Sequence, residues 1–469
     1  MLQPVMADVA ITPLLTVGET LPNGYRFSAI PDGIALAKRN GHRVDAYVNH
    51  ETSRVPFPIT GDPATTLNDF DNSQLSQLTI DLKSTTVLEG RDAIPSSANY
   101  QRFCSNYYVS HEQGFNRPMV LTGEEATDSV NRTGDAYPAG PEAEQAGVSV
   151  AYDVKSGDYR TIYGMGRLNH ENEVALSGYD GIAVLTGDDT FSAPSSQLYM
   201  YTARNASQLW ADDGQLWALV SDDAAVNDYG DLAAGDSVSG HFIPVPDDVA
   251  KGPQTPLETW SNDNNVFQFI RVEDIATDKT SPNVVYFADT GEPRAVPDPS
   301  TGRLRRAPSG TEGEYMNGRI FRMELDPVDP SVVLSLSVLV DADAGGYGNP
   351  GVLHQPDNVE TTPNGVLIQE DPGSHNGGTG FSNARVWWFD FANESMTVVA
   401  EVDQSADPTA KPGNWESTGI VDASASFGPG SFLVNVQAHS IITETLQEAD
   451  WLDKREGGQM LLMTIPGTS

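Results

Sequence analysis

Apolar residues in this chain fall into short runs broken by Gly, Pro, Asn and Asp, and few stretches show the 3.6-residue period of an amphipathic helix. Six segments repeat one layout: a polar or acidic start, an apolar stretch, a turn-forming tip, a second apolar stretch and a polar or acidic end. They are DGIALAKRNGHRVDAYVNHE (32–51), SNYYVSHEQGFNRPMVLTGEE (105–125), HENEVALSGYDGIAVLTGDD (170–189), VEDIATDKTSPNVVYFADT (272–290), PDNVETTPNGVLIQED (356–371) and ESTGIVDASASFGPGSFLVNVQ (416–437). Each predicts a β-hairpin, because strand-forming runs flank a tip of turn residues.

The spacing of the hairpins is irregular but leaves room in each repeat for about four strands plus insertions. The text between them supplies further strands, among them SQLYMYTA, GRIFRMEL, ARVWWFDF and QMLLMTI. The expected fold is therefore all-β, a six-bladed β-propeller over residues 1–469 as a single domain. The stretch 292–316 is too polar and too rich in Pro and Gly to be core, which predicts a loop insertion.

Charge changes the picture. Hydrophobic residues at 39% and aromatics at 8% mark a folded protein, so the net charge of −38 is a property of a globular surface, not of disorder. With seven lysines in the whole sequence, that field repels nucleic acid and anionic membrane and favours cations. Much of the charge has a plain explanation in solubility in salty or extracellular water. Cys104 is the single cysteine, so no intramolecular disulfide forms. No run reaches the length of a membrane span and the first thirty residues lack a signal-peptide layout, a pattern shared by a trimmed periplasmic or extracellular protein. A monomer is expected.

In a propeller the inner strand of each blade starts, and the second strand ends, on the same rim of the central channel. The acids at those places would form a ring: Glu51, Glu124, Glu125, Glu171, Asp188, Asp189, Glu273, Asp274, Asp289, Asp357, Glu370, Asp371 and Glu416. So many carboxylates cannot converge without cations or captured protons. Oxygen-rich sets suit calcium, whereas a thiolate in the set points to iron or another transition metal. Cys104 opens the second hairpin, where it is either such a ligand or a small buried apolar residue. His50, His170, His375 and His439 lie near the same rim as hydrogen-bonding neighbours. Each acid taken alone is as well explained as a solvated loop carboxylate or an Asx turn; the sixfold recurrence is what points to metal.

Several stretches in fixed order resemble the PhoX-type alkaline phosphatases and their wider relatives, from about residue 30 to 465. They are VNHE (48–51), Cys104 with LTGEE (121–125), GRLNHE (166–171), VLTGDD (184–189), FIRVEDI (269–275) with VYFADTG (285–291), QPDNVETTPNGVLIQED (355–371), and ESTGI (416–420) with VNVQAH (434–439). The resemblance implies a six-bladed propeller with iron and calcium at the channel mouth that hydrolyses phosphate monoesters. It makes Cys104, Glu51, Glu124, Glu171, Glu273 and Asp274 ligands and Arg271 the catalytic phosphate contact, with Asn358 and His170 also expected to bind substrate. FCSNYY lacks the glycine-rich residues usual after the family's cysteine, and VED replaces a proline-containing form.

The expected activity is thus hydrolysis of a small phosphorylated substrate at a metal cluster, a task that calls for charge neutralisation and positioning more than covalent chemistry. Arg271, two residues before Glu273, has the planar fork that suits phosphate oxygens. Arg303, Arg305 and Arg306 sit in the insertion and could close over substrate. Two other classes fit the same residues: a phosphodiesterase, phosphotriesterase or lactonase on the same scaffold, and a calcium-stabilised binding propeller without catalysis.

Overall fold

The computed structural model describes all residues except 40, 57–66, 191–195, 309–312, 374–381, 449–450 and 469. Its strands form six four-stranded antiparallel meanders. From the channel outward, blade 1 runs Pro31–Lys38, Arg43–His50, Gln74–Asp81 and Thr86–Ile94. Blade 2 runs Phe103–Val109, Met119–Glu124, Val148–Asp153 and Tyr159–Arg167. Blade 3 runs His170–Ala175, Ile182–Asp188, Leu198–Ala203 and Gln215–Ser221, and blade 4 runs Val272–Thr277, Val284–Asp289, Arg319–Leu325 and Val332–Asp341. A bridging strand, Ser237–Pro244, pairs with the outer edges of both and joins them into one nine-stranded sheet.

Blade 5 runs Pro356–Thr362, Gly365–Glu370, Arg385–Asp390 and Ser395–Val402, with Leu2–Pro4 added outside. Blade 6 runs Trp415–Asp422, Ser431–Gln447 and Leu452–Thr464, and its outer strand is Ala10–Thr16 from the other end of the chain. Each inner strand packs on the next, and that of blade 6 packs on that of blade 1, so the ring closes. The fold is the six-bladed propeller that the six hairpins predict, and each predicted hairpin is the inner pair of a blade.

Side chains alternate across a strand, so a blade presents two apolar faces and each must find a neighbour. In blade 1, Val44, Ala46 and Val48 pack toward Leu433 and Met460 of blade 6, while Tyr47 packs toward Phe103 and Tyr152 of blade 2. The other interblade spaces fill alike, for example Phe269, Phe287 and Phe321 against Val174 and Leu185 between blades 3 and 4. Burial on both faces is why the runs read as continuous apolar stretches rather than strict alternation.

The long connections gather at one end of the channel, where second strands end and inner strands begin. The segment 292–316, expected as loop, also carries a ribbon in which Ala295–Pro297 pairs with Leu304–Arg306, and Ala295 and Leu304 are buried in the cluster between blades 3 and 4. Among the described residues no helix is long and apolar enough to cross a membrane.

Candidate metal centre

The channel mouth is built by a backbone irregularity repeated in every blade. In blades 1 to 5 the inner strand sets two residues against one on its partner: Asp32 and Gly33, Cys104 and Ser105, Glu171 and Asn172, Glu273 and Asp274, Asp357 and Asn358. Such a bulge bends the strand and re-aims a side chain. The first residue of each pair, Asp32, Cys104, Glu171, Glu273 or Asp357, joins the rim cluster. Gly33, Ser105, Asn172 and Asp274 instead line a cavity of about 330 Å³ deeper in the channel. In blade 6 the extra residue is Gly419, and the rim carboxylate comes from Glu416, two residues before Thr418. Gly419 has φ 48°, and a Cβ there would lie 2.2 Å from the Asp32 carbonyl oxygen, so only glycine lets these two blades close together.

The second strands end in paired residues that part company. Successive side chains point to opposite faces, so one member enters its own blade and the other faces the channel. Glu124 accepts from the Gln101 N–H at 2.8 Å, the Gly147 N–H at 2.9 Å and both terminal nitrogens of Arg132. Glu370 accepts from the His354 and Arg385 N–H groups, the Arg385 guanidinium and the Trp387 indole. Asp289 accepts three backbone N–H groups, from Ile270, Arg271 and Gly291, and Asp188 accepts from the Thr190 hydroxyl at 2.6 Å. These four, expected as ligands, lie outside the clustered acids because strand alternation turns them into hydrogen-bonded anchors. Glu125, Asp189 and Asp371, each next to one of these anchors, face the channel mouth, as does Glu51 after His50.

Four groups of potential ligands form, each with donor atoms within 4.8 Å of one another: Asp32, Glu51 and Cys104; Cys104, Glu125 and Glu171; Glu171, Glu273 and Asp357; Asp357, Asp371 and Glu416. Shared members link them into one band. Asp32 is the member that the acidic hairpin ends do not reveal, though it opens the first hairpin where Cys104 opens the second. Eight carboxylates and a thiol converge here. Burial, reinforced by Glu51, pushes Asp32 up to about 8, and burial with Glu273 pushes Glu171 and Asp357 well above the usual carboxylate range. Burial and then Asp32 raise the Cys104 thiol. Among the described residues Glu171 Oε2 and Asp357 Oδ1 are buried without a hydrogen-bond partner, although Glu171 Oε1 accepts from the Ser105 hydroxyl at 3.0 Å. A buried acceptor without a donor costs free energy unless something else meets it.

Arg271 is buried beside this band. Its Nε and Nη2 each donate to Asp189 at 2.6 Å, and Nη2 lies 3.0 Å from Glu273. The bidentate pair takes Asp189, expected as a ligand, out of the clustered set. Asp274 is also outside it: as second bulge residue it turns inward and accepts from Asn172 Nδ2 and from the Ile275 and Val359 N–H groups. His170, expected to bind substrate, is wholly buried between blades, with Nδ1 2.8 Å from Thr186 Oγ1 and burial lowering it to about 4. Asn358, expected in the same role, is fully buried and braces the channel, accepting from the Thr418 hydroxyl and Gly419 N–H and donating to Ser105 Oγ. His50 is likewise buried between Ala29 O and Ser76 Oγ, His439 stands between Glu416 and Glu456, and His375 lies outside the described residues. In the insertion, Arg303 donates to Gln268 Oε1 and Val266 O, while Arg305 and Arg306 pair with Asp298 and Glu292.

The band opens onto a cavity of about 480 Å³ at the mouth, lined by Glu51, Asp371 and Glu416 on the channel side and by Asp69, Lys454 and Glu456 on the other. That volume admits a small organic molecule. The far wall is built by the long hairpin of blade 6 and by Leu67–Asp69, which pairs with it in parallel.

No family model and no curated protein matches the chain. Among solved structures, an α-L-arabinofuranosidase from Fusarium graminearum in complex with an iminosugar inhibitor is 9% identical over 96% of this chain and 97% of its own, with a TM-score of 0.41. The luciferin-regenerating enzyme is 8% identical over 94% and 93%, with a TM-score of 0.38. A PQQ-bound aldose sugar dehydrogenase from Streptomyces coelicolor is 12% identical over 98% and 99%, with a TM-score of 0.34. Likeness this low carries no argument about function, which rests on the chain's own residues.

Proposed function

We propose that this chain is a metal-dependent phosphoric ester hydrolase that acts on phosphate monoesters at the channel mouth. The observation that carries the reading is the linked band of buried and half-buried carboxylates in which, among the described residues, Glu171 and Asp357 keep unpartnered oxygens close to other acids. Eight carboxylates facing one buried guanidinium are far from neutral, and a cation is the partner that satisfies both charge and lone pairs.

The donor sets fit two kinds of ion. Glu171, Glu273 and Asp357, and likewise Asp357, Asp371 and Glu416, offer only oxygen, which suits calcium. The two groups that share Cys104 include sulfur, which suits iron or another transition metal. Bound there, such ions would supply charge neutralisation for a phosphoryl group and an oxygen nucleophile near neutral pH. The protein's own share is positioning. Asp189 fixes the Arg271 fork beside Glu273, so its charge is held without rotamer freedom where phosphate oxygens would arrive. Ser105 donates its hydroxyl to the Glu171 carboxylate, and Asn358 in turn holds Ser105.

The test is elemental analysis of the purified protein together with turnover of 4-nitrophenyl phosphate before and after chelation. Calcium with a transition metal, and activity lost on chelation and restored by those ions, is the expected result. Full activity in metal-free protein, or metal-loaded protein inert toward phosphate monoesters, overturns the reading.

A further inference from the structure

The mouth cavity has a wall that the metal band does not use. Asp69 ends the short strand Leu67–Asp69, which lies parallel to the blade 6 hairpin with Asp69 opposite Lys454. Its backbone is tied to blade 1 through the 2.8 Å bond from its N–H to Ser53 O. Among the described residues the side chain is held by one oxygen: Oδ2 accepts from the Ser53 N–H at 2.9 Å, while Oδ1 is buried with no partner. Of the acids that line this cavity, Asp69 alone among the described residues keeps a buried oxygen in that condition.

The other ionisable groups around the cavity are committed elsewhere. Lys454 Nζ pairs with Glu456 at 2.8 Å, and His439 is held between Glu456 and Glu416. Arg102 pairs with Asp128, and a guanidinium does not give up its proton in any case. Glu51, Asp371 and Glu416 belong to the metal band. A cation at Asp69 itself is disfavoured, since the Lys454 ammonium already occupies the neighbouring strand.

We propose that Asp69 is the proton donor to the leaving-group oxygen of a phosphate monoester bound in the mouth cavity, an assignment that rests on the phosphatase reading above. Geometry gives it two things a donor needs: a place in the wall of the cavity that Glu51 and Glu416 also line, and one carboxylate oxygen held by the Ser53 N–H, which fixes the side chain while the other oxygen takes no partner among the described residues. Burial holds the carboxyl up to about 7, against Lys454, which favours its charged form, and with Glu456 and Glu51, which oppose it. Its acid form is therefore populated at neutral pH.

In the step, the bond between phosphorus and the alcohol oxygen breaks with its electron pair going to that oxygen. The proton on Asp69 Oδ1 moves to it, so the product leaves as a neutral alcohol. Water supplies the hydroxyl that phosphorus gains, and its remaining proton returns through solvent to Asp69. Esters of poorly acidic alkyl alcohols depend on this proton, whereas a 4-nitrophenolate leaves without it. The assignment thus names alkyl phosphates as the substrate class for which the site is equipped.

The experiment compares Asp69→Asn with wild type, both metal-loaded and full length, on glycerol 2-phosphate and on 4-nitrophenyl phosphate. The expected kcat falls by about a hundredfold or more on the alkyl ester and by less than about threefold on the aryl ester, with metal content unchanged. An equal fall on both esters, or loss of bound metal, makes Asp69 a structural or ligand group and overturns the assignment; so does an unchanged rate on glycerol 2-phosphate. Asp69→Ser, which keeps an acceptor for the Ser53 N–H, repeats the comparison if the amide variant does not fold. Wild-type protein that turns over neither ester overturns the phosphatase reading and this assignment with it, whereas with an active wild type the outcome bears on Asp69 alone.

Discussion

Glu370 and Asp371 are adjacent acids on the same rim, the first buried and the second half-buried, yet they do opposite work. Glu370 is surrounded by donors from Arg385, Trp387 and two backbone N–H groups, and it ties the entry of blade 5 to that blade's third strand. Asp371 turns the other way, into a group with Asp357 and Glu416, and accepts the Gly373 N–H at 3.3 Å. Glu124 and Glu125 repeat the contrast in blade 2. Burial alone therefore does not mark a ligand. What separates the two kinds of acid is whether other carboxylates crowd against them, and that is decided by which face of the strand a residue occupies.

The contrast can be broken from either side. Glu370→Ala should have the largest effect, about 3–5 kcal/mol of stability lost in urea unfolding, because the Arg385 guanidinium is left buried without its partner; the folded fraction should keep its metal. Glu171→Gln should do the reverse: the fold persists, while phosphate-ester turnover falls about a hundredfold (about 2.7 kcal/mol in barrier) together with metal content. A Glu171→Gln protein with wild-type metal and rate would place Glu171 with the anchors. Cys104→Ser should cost about tenfold in turnover and selectively lower the transition metal rather than calcium, since a serine hydroxyl stays protonated where a thiolate would bind. The last test reads pH dependence. Asp69 rises on folding from 3.8 to about 7 because it is buried, so its share of stability is complete below about 3.8 and drains as pH climbs through about 7. Wild type should therefore lose ground against Asp69→Asn between acid and neutral pH in urea melts, and parallel curves would show that Asp69 is not titrating in that range.

The blades were legible because turn residues and apolar runs are local signals. The segment 356–371, for example, contains the pair Pro356–Thr362 and Gly365–Glu370 almost to the residue. The bulges were not legible, because an extra residue in one strand shows only against its partner's register. That single offset sends Glu273 to the rim and Asp274 inward. Strand alternation was available in principle and would have separated Glu124 from Glu125. Asp32 could have been found by aligning the first residue of each hairpin instead of its acidic end. Asp69 carried no local signal: its place depends on a parallel pairing with residues nearly the whole chain away.

The pairing of Ala10–Thr16 with Leu452–Thr464, where Ala10 sits opposite Thr464, has a bearing on how the chain is made. Five blades are continuous in sequence and can form as the polypeptide emerges, whereas the sixth waits for both ends. Ala10–Thr16 is synthesised first and has no sheet to join until Leu452–Thr464 exists. During that interval the nascent ring stands open, with the apolar faces of blades 1 and 6 bare and unpaired strand edges available to other chains. Loop-closure entropy adds little with length; the delay is one of order, imposed by sequence separation. Joining the two strands in a circular permutant, with new ends in a far-side turn such as 391–394, would make the last pairing of the natural chain a local hairpin.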